Sequence, residues 1–157
     1  MSLENKTVVF MWERYLESIG ENIDNTSKTY TSWYFCNDEK NANELADLVV
    51  EGVKRGTTSL YELYKIDNEE IPKKDQYSIV TDWNGVAKCI IKNKNIYILK
   101  FKDVDDWLAY IEGEGDKSLT YWRKVHINYY TEELREYNII FDENMMVLFE
   151  EFEVVYK

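Results

Sequence analysis

Asn84 and Gly85 lie between two apolar stretches, and this arrangement constrains the fold more than any other feature of the sequence. The flanking stretches, residues 77–82 and 86–92, have the length and residue types of β-strands. Asn-Gly favours a two-residue type I′ turn, because both residues tolerate a positive φ. We therefore predict an antiparallel hairpin, continued by a strand over residues 96–101.

Helical spacing of apolar side chains predicts two helices before this hairpin. The first covers residues 7–19, and the second begins after Asn41, its N-cap, and ends at Gly52. A helical insertion, residues 103–138, separates the hairpin from a last strand at residues 147–156. Three side chains that can cap helices divide this insertion into pieces: Asp103, Ser118 and Thr131.

Strands that pair out of chain order, with helices gathered at one side, indicate an α+β fold. The length of 157 residues suits one ordinary domain, and a chain of this size has enough surface to bury a core. We therefore predict a single domain over residues 1–157, built as a small, mostly antiparallel β-barrel flanked by helices.

The net charge of the chain is −11, with 30 acidic residues against 19 basic ones. Binding long duplex nucleic acid over a broad surface requires a basic face, so this charge argues against that class of ligand. A negative surface suits a cationic protein partner, and a non-catalytic protein-interaction module is therefore one open function. Nothing in the sequence decides the oligomeric state.

The expected compartment is the cytoplasm, with no membrane, metal or cofactor. No apolar stretch approaches the roughly 20 residues that a membrane-spanning helix needs. Residues 1–6 lack the pattern of a signal peptide. Cys36 and Cys89 lie far apart and belong to no Cys-x-x-Cys or Cys/His cluster, so neither a metal site nor a disulfide is predicted. Unpaired thiols suit a reducing compartment.

Residues 52–59, the Lys54 loop, are cationic and rich in hydroxyls within an otherwise acidic chain. Their sequence is Gly-Val-Lys-Arg-Gly-Thr-Thr-Ser, and the two cations are Lys54 and Arg55. Cations followed by a Thr-rich strand also occur at an ordinary helix C-terminus, where they complement the helix dipole. A local charge opposite in sign to the net charge nevertheless makes this loop the first candidate for a ligand site.

Six segments of the chain occur in an order that is typical of one family. They are Trp33-Tyr34-Phe35, residues 52–60, residues 75–83, residues 112–119 with the run Glu-Gly-Glu-Gly-Asp, Tyr121-Trp122-Arg123 with His126, and residues 149–156. Over residues 30–157 they resemble the bacterial ASCH-domain proteins of the PUA-like superfamily. The acidic run with the Trp and His that follow it is the specific part of this resemblance.

This resemblance implies a PUA-like β-barrel with a cleft lined by the Lys54 loop. PUA relatives bind RNA, and some ASCH proteins are described as ribonucleases. Short relatives are amidohydrolases that act on acylated cytidine through a Lys, a Thr three residues later and a downstream Glu. Carried over to this chain, those residues are Lys54, Thr57 and Glu114, with Glu112 as the alternative acidic partner. The family's loop usually resembles Gly-Lys-Lys-Thr-Ala-Thr, and the extra cation Arg55 favours a phosphate-bearing ligand.

Two chemical roles are open for these residues. In a hydrolase, a neutral Lys54 activates Thr57 as the nucleophile, and Glu114 transfers the proton. In a binding site, Lys54 stays charged and pairs with a phosphate or with Glu114. We therefore predict a cleft that binds RNA, a nucleotide or a modified nucleoside, with hydrolysis in the same cleft left open.

Five further residues are candidates for ligand contacts: Arg55, Thr58, Trp33, Trp122 and His126. Trp33 belongs either to the core or to the floor of a base pocket, where a base would stack on its ring. His126 shares a helix face with Trp122. It is either a packed, hydrogen-bonded side chain or a general base for RNA cleavage, with an unperturbed pKa of about 6.5.

Overall fold

The computed structural model describes residues 4–157. Residues 1–3, which belong to the segment tested above for a signal-peptide pattern, lie outside the described residues. Within residues 4–157 the helices are α1 (Lys6–Ser18), α2 (Glu39–Val50), α3 (Tyr61–Ile66), α4 (Asp106–Glu112) and α5 (Leu119–Arg135). The strands of the same range are β1 (Tyr30–Trp33), β2 (Gly56–Leu60), β3 (Tyr77–Thr81), β4 (Ala87–Lys100) and β5 (Met146–Tyr156). The predicted α+β class is confirmed.

The five strands form one mixed sheet in the order β1-β3-β4-β5-β2. β3 is antiparallel to β4 and β2 is antiparallel to β5, whereas β1 is parallel to β3. β1 and β2 lie at the two edges, and within residues 4–157 they do not pair with each other. The predicted closed barrel is therefore wrong. Closure requires the edge strands to pair, and strands of only 4 and 5 residues offer few groups for it.

The predicted hairpin forms, but its turn differs from the predicted type I′ turn. Gly85 has a φ of 80°, whereas Asn84 is not among the residues with positive φ. The Gly85 N–H donates to the backbone oxygen of Asp82 at 3.0 Å, and the Asp82 N–H donates to that of Val86 at 2.9 Å. The Asp82 carboxylate also accepts from the N–H groups of Asn84 and Val86. These contacts stabilise a three-residue loop in which only glycine takes the left-handed conformation.

Two predicted helix N-caps are displaced by a few residues. α2 is capped by Asp38, whose side chain accepts from the N–H of Asn41, so the predicted cap Asn41 lies inside the first turn. The same helix ends before Gly52, which has a φ of 77° as expected of a helix-terminating glycine. α4 is capped by Asp105 and not by Asp103. Each helix therefore uses the neighbouring Asp whose backbone is extended at the helix start.

The last helix of the chain is continuous where a break was predicted. Its cap is Ser118, as predicted, and the Ser118 hydroxyl accepts from the N–H of Tyr121 at 3.1 Å. The helix then runs without interruption to Arg135. Thr131 does not cap a new helix, because its hydroxyl donates to the backbone oxygen of Ile127 at 2.6 Å inside the same helix.

The chain divides into two compact units, and the single domain stays a prediction. The first unit contains residues 4–53, 74–94 and 152–157. Alternate side chains of β3 and β4 point to opposite faces, and both faces carry buried residues. One face packs on α1, in a cluster of Val8, Trp12, Tyr15, Leu16, Tyr77, Ile79 and Ile90. The other packs on α2, in a cluster of Phe35, Ala46, Val49, Val80, Cys89, Ile91 and Phe152.

The second unit contains residues 54–73 and 95–151, and its single core forms under α4 and α5. Side chains at helical spacing on α5 provide one wall of this core: Trp122, Tyr130 and Leu134. Phe101, Leu108 and Phe149 pack against them from the preceding segment, α4 and β5. The residues of the predicted catalytic set all belong to this second unit.

Candidate functional site

Lys54 lies in a buried polar cluster of the second unit, and its side chain is 0% exposed. Its Nζ donates to Glu114 Oε1 at 2.7 Å and to the backbone oxygen of Glu112 at 3.3 Å, while Glu112 Oε1 lies 3.6 Å away. The Arg55 N–H donates to the backbone oxygen of Ile111 at 2.7 Å and ties the following residue to the end of α4. Glu112 and Glu114 were alternative partners of Lys54 from the sequence, and the structure places both beside it.

The two carboxylates differ in what else they contact. Glu112 is 2% exposed, whereas Glu114 is 16% exposed. The Glu112 Oε2 accepts hydrogen bonds from Thr58 Oγ1 and Trp122 Nε1, both at 2.6 Å, and its Oε1 lies 3.1 Å from His126 Nε2. Glu112 is therefore surrounded by protein donors. Glu114 is the carboxylate of the pair that a ligand can reach.

Neighbouring charges and hydrogen bonds lower the pKa of Glu112 by more than burial raises it. Burial alone would raise the pKa of this carboxyl, but the charges of His126 and Lys54, with hydrogen bonds from His126 and Thr58, lower it to about 2. Glu112 is consequently ionised under ordinary conditions. A buried anion of this kind persists only because cations and donors compensate it on each side.

The contacts of His126 define its protonation state. Its Nδ1 lies 2.8 Å from the backbone oxygen of Trp122, and its Nε2 faces the Glu112 carboxylate. Both neighbours are acceptors, so both ring nitrogens carry a proton. Burial alone would lower the pKa of His126, but the Glu112 carboxylate, with a smaller effect of Glu114, raises it. The His126 ring stacks on Trp122 with the ring centres 4.1 Å apart, and a ligand contact or general-base role of His126 stays a prediction.

The ion pair of His126 and Glu112 sets a pH window for stability. A raised pKa in the folded state means that the stabilisation by His126 is complete below about pH 6.5 and is lost as the pH rises through the folded value. The lowered pKa of Glu112 means that its stabilisation is present above about pH 4.5 and is lost as the pH falls towards 2. Both contributions are complete between these limits.

We therefore expect the substitution His126→Gln to cost most at mildly acidic pH. Urea unfolding of the wild type and of this variant should show a larger difference in unfolding free energy at about pH 5.5 than at about pH 9. The exposed substitution Asn128→Gln on the same helix should show no such dependence. An equal cost of His126→Gln at both pH values would contradict the ion pair.

Thr58, rather than Thr57, reaches the cluster. Successive side chains of a strand point to opposite faces. In β2 the Thr58 hydroxyl contacts Glu112, so Thr57 lies on the other face, in register with Glu150 of β5. The strand already begins at Gly56, so this alternation applies to both Thr57 and Thr58. The role of Thr57 as a nucleophile stays a prediction.

Two predicted ligand-binding residues have other contacts. The Arg55 side chain is exposed, and its guanidinium carbon lies 5.8 Å from the centre of the Tyr110 ring. Trp33 belongs to the first unit, packs edge-on against Phe35 at 4.9 Å, and lines an open cavity of about 550 Å³. Ligand contacts of Arg55 and Trp33 stay predictions.

Three aromatic residues of α4 and α5 were not among the candidate site residues predicted from the sequence. Tyr130 is fully buried on α5, one turn after His126, and its hydroxyl has no hydrogen-bond partner within residues 4–157. Burial raises the pKa of this phenol well above its usual value, so it stays neutral. Trp107 and Tyr110 are exposed on α4. Their spacing of three residues on a helix was the signal that could have identified them.

Three further observations concern metals, membranes and thiols. Among residues 4–157, no three His, Cys, Asp or Glu side chains are grouped so that they could hold a metal ion. Over the same range, no helix combines the length and the apolar character needed to cross a bilayer. Burial raises the pKa of the Cys89 thiol to about 12, which makes this thiol unreactive.

The fold and the cluster define a class of small α+β protein with an open mixed sheet and a buried lysine held by two glutamates. Residues 31–156 match the family model of the ASCH domain, and the chain belongs to the ASCH-domain family. The predicted resemblance is thus confirmed.

Two solved structures are similar to this chain over nearly their whole length. The chain is 35% identical to an ASCH domain from Lactobacillus crispatus JV V101, with a TM-score of 0.91 over 98% of this chain and 96% of that one. It is 29% identical to the protein EF3133 from Enterococcus faecalis V583, with a TM-score of 0.84 over 96% of this chain and 89% of that one. A search of curated proteins gives no significant match.

Proposed function

We propose that the Lys54–Glu114 pair binds a nucleotide-like group, either within RNA or as a free or modified nucleotide. The observation that carries this proposal is the 2.7 Å contact between a wholly buried ammonium and a carboxylate that retains access to solvent. Such a pair offers a ligand one strong acceptor that is held rigidly in place. The expected PUA-like relationship of the family to RNA-binding proteins supports the same ligand class.

The chemistry of a nucleobase fits this pair. A carboxylate accepts hydrogen bonds from the exocyclic amino group of cytosine. The Glu114 carboxylate is already oriented by Lys54, and Lys54 is oriented by Glu112. A ligand therefore meets a group whose geometry is fixed before binding, which reduces the entropic cost of association.

The same contacts favour binding over hydrolysis. A lysine that acts as a base must be neutral, and two carboxylates within 4 Å favour its charged form. The hydroxyl at the cluster is that of Thr58, and it donates to Glu112. Hydrolysis of acylated cytidine or of RNA through Lys54, Thr57 and Glu114 stays a prediction, which chromatographic detection of product from N4-acetylcytidine would test.

Isothermal titration with cytidine 5′-monophosphate tests the proposed binding. We expect Glu114→Gln to weaken the affinity by about tenfold or more, because a hydrogen bond to a charged acceptor contributes about 1.5–3 kcal/mol. The same substitution at Glu143, on an exposed turn of the second unit, is the matched control and should leave the affinity unchanged. A wild-type protein that does not bind the nucleotide, or equal affinities of wild type and Glu114→Gln, would contradict the proposal.

A further inference from the structure

α4 presents two aromatic side chains to solvent. Trp107 is 56% exposed and Tyr110 is 48% exposed. The two rings are nearly parallel, with an angle of 26° between their planes and 6.0 Å between their centres. The opposite face of the helix is buried through Leu108, Ile111 and Glu112. One short helix thus supplies Glu112 to the cluster and an aromatic pair to the surface.

Two cations lie against this aromatic pair. The Arg55 guanidinium carbon is 5.8 Å from the centre of the Tyr110 ring, and Lys117 Nζ is 5.5 Å from it. Within residues 4–157 neither cation forms an ion pair with a carboxylate. Trp107, Tyr110, Arg55 and Lys117 together form what we call the α4 patch.

Most acidic side chains near the α4 patch have protein partners of their own. Asp105 accepts from the N–H of Leu108, Asp116 accepts from the N–H of Ser118, and Glu114 pairs with Lys54. Asp106 lies on α4 one turn before Tyr110 and is not the cap of the helix. The patch thus places two cations beside two exposed rings in a chain of net charge −11.

We propose that the α4 patch is a stacking platform for single-stranded RNA, on which a base next to the nucleotide bound at Glu114 stacks on Trp107. Arg55 and Lys117 contact the phosphates of the same strand. This inference rests on the proposed function, because it extends the nucleotide site along a strand. Arg55 directly follows Lys54, and α4 ends at Glu112, so both elements of the patch continue into the site.

The chemistry of the patch selects a single strand. Exposed aromatic rings bind unstacked bases in a sequence-tolerant manner, and neighbouring cations follow the phosphates. A duplex keeps its bases stacked and offers the rings no face. The negative charge of the rest of the molecule disfavours the broad contact that a duplex requires.

Fluorescence anisotropy with 5′-fluorescein-labelled hexacytidylate tests the stacking contact. We expect Trp107→Ala to weaken binding about fivefold or more and Trp107→Phe to restore it to within about twofold. Phe10→Ala is the matched control, because Phe10 is 60% exposed and carries the Arg14 guanidinium 5.6 Å from its ring centre. The control should bind like the wild type. Equal affinities of Trp107→Ala and wild type would overturn the platform.

The salt dependence of the same titration tests the phosphate contacts. Arg55→Gln and Lys117→Asn should each reduce the slope of log affinity against log salt by about 0.7. Asn is chosen because Lys117 has a φ of 64°, which Asn tolerates. Asp106→Asn should tighten binding, and Arg14→Gln should change nothing. Unchanged slopes in both patch variants would overturn the assignment of these cations.

The mononucleotide separates this inference from the proposed function. Trp107→Ala should bind cytidine 5′-monophosphate like the wild type, while Glu114→Gln should bind it more weakly. If this difference is seen but hexacytidylate binds no more tightly than the mononucleotide, the platform is overturned and the nucleotide site stands. If the wild type binds neither probe, both proposals fail.

Discussion

Replacing Glu112 with Ala is expected to lower the free energy of unfolding by about 3–5 kcal/mol. The substitution removes the carboxylate that lies between the buried cations Lys54 and His126. It also leaves the Thr58 hydroxyl and the Trp122 N–H without the acceptor that each contacts at 2.6 Å. Buried donors and charges that lose their partner keep the full cost of desolvation, which is why the expected loss is large.

Urea unfolding at neutral pH measures this loss, and Glu114→Ala provides the comparison. Glu114 also pairs with Lys54, but it is partly exposed and has fewer protein contacts. Its removal should cost less, about 1–3 kcal/mol, because Lys54 loses one hydrogen-bond partner but keeps the Glu112 carboxylate 3.6 Å away. Equal losses in the two variants would contradict the distinction between a buried structural carboxylate and a carboxylate that meets the ligand.

Trp122→Ala is expected to cost a similar amount, about 3–5 kcal/mol, for a different reason. The indole is buried between Phe101 and His126, with ring centres 5.0 Å and 4.1 Å away. Truncation therefore opens a cavity in the core of the second unit and removes the donor to Glu112. Trp122→Phe keeps most of the ring but removes the N–H, so it should cost about 1.5–3 kcal/mol, the value for a hydrogen bond to a charged group.

The comparison of the two Trp122 variants separates packing from hydrogen bonding. Both are followed by urea unfolding, with the near-UV circular dichroism of each folded variant as a check on the core. Combining Trp122→Phe with Glu112→Gln should cost less than the sum of the single changes, because the two residues share one contact. Strict additivity, or a Phe variant as stable as the wild type, would show that the 2.6 Å contact contributes nothing.

Turn residues, helix caps and helical spacing in the sequence predicted the hairpin and the start of two helices. Gly85 and its flanking strands identified the hairpin, and Ser118 identified the start of α5, because a turn residue or a cap acts within a few positions. The first helix agrees with its prediction to within one residue at each end. The charge of its loop singled out Lys54, whereas its partners Glu112 and Glu114 came from the family resemblance, since no local pattern connects positions that lie about 60 residues apart.

The remaining features depend on contacts that periodicity does not specify. Sheet closure depends on whether the edge strands β1 and β2 pair, which no segment reveals alone. The choice of Thr58 over Thr57 depends on the pairing register of β2, which decides the face of each side chain and which no short segment reveals. The role of Glu112 depends on three donors from β2 and α5 that meet only in the folded chain.

The most direct measurement is the ammonium resonance of Lys54 in a ¹H–¹⁵N NMR spectrum selective for lysine side chains, recorded during titration with cytidine 5′-monophosphate. A buried ammonium held by Glu114 and Glu112 should exchange slowly enough to give a signal, and Lys54→Met identifies it by its loss. We predict that this signal shifts progressively and saturates with the nucleotide, because the ligand contacts the carboxylate that Lys54 holds. A Lys54 signal that stays unchanged at a nucleotide concentration that saturates binding would show that the nucleotide binds elsewhere.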